Sequence, residues 1–139
     1  MLIDQTTSAN NKFANEKSIV IFGDDAGGKA SLSRKLTDDS SDESGTIHHG
    51  SGLDYYHMSV TDEQDDTDES GQCHIWLVDG NLSHRNLIRH CLPKRMIGNA
   101  MILLVVDMSK PWGMFESLEK WVKVIHEHLD SLKVNFLVP

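Results

Sequence analysis

One short stretch constrains this chain more than any other: an apolar run that stops at a glycine and is followed, six residues on, by a lysine opening an amphipathic segment. Ser18-Ile19-Val20-Ile21-Phe22 is β-branched and apolar at successive positions, which suits a strand covered on both faces, as in a parallel sheet. Gly23-Asp24-Asp25-Ala26-Gly27-Gly28-Lys29-Ala30 follows as a turn-rich loop. Lys29 to Leu36 then reads as a short helix with Leu32 and Leu36 four apart on one face.

Strand, glycine loop and helix in that order are the setting of the G-x-x-x-x-G-K-[ST] phosphate loop. Its glycines let main-chain N–H groups turn inward, and the helix N-terminus adds partial positive charge. The candidate nucleotide site is therefore Gly23, Asp24, Asp25, Ala26, Gly27, Gly28, Lys29, Ala30 and Ser31, with Lys29 reaching the terminal phosphates. The match has a defect. Ala30 stands where a hydroxyl should meet Mg2+, and Ser31 lies ~100° further round the helix. Asp24 and Asp25 put negative charge in the loop and repel phosphates unless they point outward. The expectation is weak binding of a nucleotide (GDP, GTP or ATP), with Mg2+ coordination and hydrolysis impaired. The alternative is a strand–helix turn that keeps the shape, binds nothing and leaves Lys29 solvated.

Asp79 is the candidate metal ligand. It ends the apolar run Cys73 to Val78, where a phosphate-loop protein places an aspartate near Mg2+. The run Asp79-Gly80-Asn81-Leu82 lacks the D-x-x-G spacing of a GTPase switch, and Asp79 capping the turn after the strand is an equal reading.

The remaining elements alternate in the same way. Leu53 to Val60 reads as a strand, and residues 61–70, with six acids in ten, as a solvated hairpin tip. Residues 82–91 suit a helix closed by Pro93. Ala100 to Val106 is apolar throughout and is expected to be a central strand covered on both faces. Met114, Leu118, Trp121, Ile125, Leu129 and Leu132 form one stripe of an amphipathic helix, and Val134 to Pro139 can begin another strand. Such alternation predicts an α/β layered sheet. Residues 1–17 read as a flexible polar leader.

Composition narrows the function classes. Thirteen Lys+Arg against 21 Asp+Glu give a formal charge of −8, which disfavours nucleic acid and anionic membrane surfaces as partners. No apolar run approaches the ~20 residues of a membrane span, and the N-terminus has no secretory signal. Cys73 and Cys91 cannot build a disulfide framework, so the chain reads as cytoplasmic and reduced. Cys73-His74 and His90-Cys91 lack zinc spacing, and neighbours on a strand face opposite ways. His48-His49 falls in a polar loop, and His126 and His128 flanking Glu127 form no H-E-x-x-H motif. The acidic run 62–69 lacks the glycine and terminal glutamate of a calcium loop.

Leu103-Leu104-Val105-Val106-Asp107-Met108-Ser109-Lys110-Pro111-Trp112 resembles the strand and loop of cytoplasmic dynein light intermediate chains, dynein-1 type. Ser117-Leu118-Glu119-Lys120-Trp121, Glu127 to Lys133, Gly52-Leu53-Asp54-Tyr55 and Trp76 to Gly80 fit the same pattern, so the resemblance covers about residues 18–133. It implies an α/β P-loop NTPase (Ras-like) fold, a three-layer sheet truncated before the last strands, with 18–139 a partial domain. It also implies a noncatalytic subunit packed on the dynein heavy chain tail, with other dynein subunits met indirectly, in microtubule-based transport. The chain stops before the N-K-x-D guanine motif and before the family's adaptor-binding C-terminal segment; a Ras-like sheet lacking its last strands leaves apolar area and strand edges exposed, so reduced stability in isolation is expected.

Overall fold

The computed structural model describes residues 16–37, 52–60 and 71–137, of which 134–137 by backbone alone. Most of the expected leader, the polar loop with His48-His49 and the acidic tip 61–70 lie outside the described residues.

The elements in chain order are β1 (Glu16–Gly23), α1 (Lys29–Leu36), β2 (Leu53–Val60), β3 (Gly71–Val78), α2 (Ile88–Cys91), β4 (Ala100–Val105) and α3 (Met114–Leu137). The strands form one open mixed sheet of order β2-β3-β1-β4. β1 runs parallel to both β3 and β4, with Val20 opposite Trp76 on one side and Ile102 on the other. β2 and β3 are antiparallel, from Leu53↔Val78 to Val60↔Gly71, as the hairpin reading requires. Glu16 and Lys17, expected in the leader, instead extend β1 and pair with Gln72 and Cys73.

The apolar run of β1 is explained by helices on both sheet faces. Val20 and Phe22 join Val78, Ile88, Cys91, Leu92, Trp121, Val124 and Ile125 in one core, which α2 and α3 cover. Ile21 points the other way and joins Cys73, Ile75 and Leu77, with Leu32 of α1 against them. Val20, Ile21 and Phe22 are all fully buried. The Phe22 and Trp121 rings meet at 5.9 Å between centroids, tilted by 45°, an arrangement worth about 0.5–1.5 kcal/mol beyond burial.

Four expectations are corrected. β4, expected to be central and covered on both faces, is only half-buried, with Met101 58% exposed, and among the described residues it pairs with β1 alone. Its apolar run reports the two faces, Ile102 and Leu104 packing on one core and Leu103 and Val105 on the other; it says nothing of the strand's edges. Residues 82–91 are not one helix but a 3-10 turn, Leu82–Leu87, whose N-cap Asn81 accepts from the Ser83 N–H, followed by the single turn of α2. Val134 to Leu137 continue α3 rather than starting a strand. On α1, Leu36 is 37% exposed, while Lys29 and Ser33 turn inward.

Candidate functional site

The loop after β1 winds tightly into α1. Ala26 has φ 61° and Gly28, the helix N-cap, has φ 96°. The first conformation is strained for any residue with a side chain; the second suits glycine. Gly23 is fixed by space: a β-carbon there would meet the Val105 carbonyl oxygen at 2.5 Å.

Lys29 is buried, not solvated. Its Nζ donates to the carbonyl oxygens of Gly23 at 2.5 Å and Val78 at 2.9 Å. These are the last residues of β1 and β3, so the ammonium ties the ends of two neighbouring strands. Burial pushes its pKa down, against the raising effect of Asp25, Asp79 and Asp24.

The two loop acids diverge. Asp24 turns toward α3, where its carboxylate accepts from Ser117 Oγ at 2.6 Å and Trp121 Nε1 at 3.1 Å and pairs with Lys120. Burial pushes this carboxyl up, but the bonds from Lys120, Ser117 and Trp121 outweigh it and hold the group below its ordinary 3.8. Asp25 Oδ1 instead accepts the Gly80 N–H at 3.0 Å. The approach is close, since a β-carbon on Gly80 would meet the Asp25 amide nitrogen at 2.4 Å.

Asp79 follows β3 and caps its turn, Oδ1 accepting the Asn81 N–H at 3.3 Å, while Oδ2 lies 2.9 Å from His84 Nδ1. Burial again pushes its carboxyl up, but hydrogen bonds involving His84, Asn81 and Asp25 outweigh this and depress it.

A cleft of about 540 Å³ opens between this loop, the end of β3 and the start of β2. That is ample for a small ligand, and it sits at the carboxyl ends of parallel strands, where open α/β sheets bind ligands. Of the candidate residues, Asp25, Ala26, Gly28, Lys29, Ala30, Ser31 and Asp79 line it; Gly23, Asp24 and Gly27 do not. Ser31 thus reaches the cleft despite its rotation from Ala30. Among the described residues the charged lining is Asp25, Asp54, Asp79 and Lys29. As placed, these groups do not fit a phosphate anion: the ammonium is held by two carbonyls, Asp25 holds the facing amide, and Ala30 offers no hydroxyl.

Elsewhere, Cys73 and His74 do face opposite ways, Cys73 into the core and His74 toward the Tyr55 hydroxyl at 2.5 Å. Among the described residues no group of three or more His, Cys, Asp or Glu is placed to hold a metal ion, and no helix is long and apolar enough to cross a membrane. Sequence reasoning missed the Asp24 cluster. Its only signal was three donor-bearing residues, Ser117, Lys120 and Trp121, at i, i+3 and i+4, of which Trp121 alone belongs to the apolar stripe.

Fold and site together define an open mixed α/β protein with a glycine loop whose lysine serves the main chain. The chain belongs to the dynein light intermediate chain (DLIC) family, whose profile matches residues 1–136. It is 36% identical over 134 residues to cytoplasmic dynein 1 light intermediate chain 1 of Homo sapiens, covering 96% of this chain and 24% of that protein. The protein of the same name from Mus musculus is 35% identical over the same shares. That from Dictyostelium discoideum is 29% identical over 131 residues, covering 94% and 25%. The chain thus spans about a quarter of the length of the curated relatives it matches.

Proposed function

We propose that this chain serves as a noncatalytic subunit of the cytoplasmic dynein motor. In this reading a Ras-like P-loop fold is used as a scaffold that associates with the heavy chain tail in the cytoplasm, on microtubules. Family membership supports the assembly. The observation that carries the noncatalytic reading is Lys29: a phosphate-loop lysine that catalyses must reach a transferring phosphoryl group, whereas this one donates to Gly23 and Val78 carbonyls. A scaffold needs only a fold and a surface. Met108, Trp112 and Phe115, each about four-fifths exposed, supply apolar surface of the kind protein partners cover. Co-purification with a heavy chain tail fragment tests this. Retention is expected, and a clean null with a folded chain overturns the reading.

A second reading, nucleotide binding with weak hydrolysis, is favoured by the cleft and by Ser31 in its wall. Titration with labelled GTP, GDP and ATP, with and without Mg2+, separates the two. Turnover that vanishes in Lys29→Ala would defeat the scaffold-only account.

A further inference from the structure

We propose that Asp25 is the residue that sets what the cleft refuses: its carboxylate occupies, as a built-in anion, the place at the Gly80 amide and beside Lys29 that a phosphoryl oxygen needs. The inference goes beyond the scaffold reading and does not depend on heavy chain association.

The argument starts from what an anion requires here. A phosphoryl group is held by main-chain N–H groups and a cation. The N–H that the β3 turn directs at the loop is that of Gly80, and Asp25 Oδ1 accepts it at 3.0 Å. The cation is Lys29, already bound to two carbonyls and in the field of Asp25, Asp79 and Asp24. Contact between the two loops is tight enough that even a methyl group at Gly80 would strike Asp25. An incoming anion must therefore displace a carboxylate, in a cleft where Asp54 and Asp79 add further negative charge.

Asp24 does not contribute in the same way. It lies outside the cleft lining and is paired with Lys120. Neutralising Asp25 removes the built-in anion from the cradle itself, whereas neutralising Asp24 acts on Lys29 only from outside the cleft lining.

Asp25→Asn is the discriminating change. It keeps an oxygen to accept the Gly80 N–H and removes the charge. The probe is inorganic pyrophosphate, titrated calorimetrically into the 139-residue chain. The altered chain is expected to bind at least ~10-fold more tightly than the unaltered one, the size of effect a single nearby charge produces. Asp24→Asn should tighten binding less than Asp25→Asn does, and adding Lys29→Met to Asp25→Asn should abolish the gain. The proposal is overturned if Asp25→Asn and Asp25→Ser both leave affinity within twofold while melting like the parent, or if the gain survives Lys29→Met. A third measurement needs no variant. The Gly80 amide resonance of the unaltered chain should stay in place on adding pyrophosphate, and a saturating shift at submillimolar concentration overturns the proposal. Heavy chain capture plays no part in these readouts, so the two readings fail separately.

Discussion

The indole Nε1 of Trp121 donates to Asp24 Oδ1 at 3.1 Å, joining the loop after the first strand to a helix 97 residues further along the chain. The same ring fills the core against Phe22, so one side chain both packs the sheet face and fixes the loop. Trp121→Ala should cost about 3–5 kcal/mol, the range for truncating a buried aromatic. Trp121→Phe, which keeps most of the ring, should cost about 1–2 kcal/mol, from the lost bond and volume. In urea denaturation, Trp121→Phe and Asp24→Asn combined should fall short of additivity by about 0.5–1 kcal/mol, because the two share that bond.

Acid sensitivity follows from the same group. Asp24 and Asp79 both titrate below 3.8 in the folded chain. Their contribution is complete above the unfolded value and disappears as pH falls through the lower folded values. The melting temperature should therefore hold from pH 7 to about 5 and drop steeply below about 4. Asp24→Asn should flatten that drop; an unchanged acid limb would show that the Lys120, Ser117 and Trp121 contacts do not bias the carboxyl.

Lys29→Met tests the tie between strands. It removes both bonds to the ends of β1 and β3 and leaves the Gly23 and Val78 carbonyls without that donor. The expected loss is about 1.5–3 kcal/mol, the range for hydrogen bonds from a charged group. Lys29→Arg should not rescue it, because a planar guanidinium does not fit a point-charge site. A variant as stable as the parent would mean the lysine is free for a ligand.

The two thiols should be silent in the folded chain. Cys91 is 1% exposed and burial pushes its thiol up to about 12; Cys73 is 7% exposed and raised for the same reason. At pH 8 a thiol reagent should label neither within the native lifetime and both once urea unfolds the chain. Fast native labelling at either position would contradict the packing.

On the surface, Trp112→Ser and Phe115→Ser should shift stability by less than about 0.5 kcal/mol, since neither side chain is buried. Heavy chain capture in the same variants should weaken if this apolar surface is the contact.

The sequence made local features legible and left long-range ones obscure. The bounds of α1 and β2 could be read residue for residue, because a glycine loop and an alternating strand carry their own punctuation. The half-burial of β4 was not legible, because an apolar run does not report how completely its faces are covered. Val134 and its neighbours look like strand residues, yet the backbone stays helical beyond the stripe of Trp121, Ile125 and Leu129. Within the site, Lys29 and its loop stood out from their motif. Where the lysine turns depends on how closely β1 and β3 end together, and where Asp24 turns depends on a helix almost a hundred residues away. Neither leaves a trace in a local window.

The bare α-carbon of residue 23 makes the end of β1 a keystone position. Any added carbon there would drive a wedge between the central strand and the Val105 carbonyl. The same shift would drag away one of the two oxygens that anchor Lys29. A single methyl group would thus unzip the sheet on one side and release the lysine on the other, although the residue itself lies outside the cleft lining.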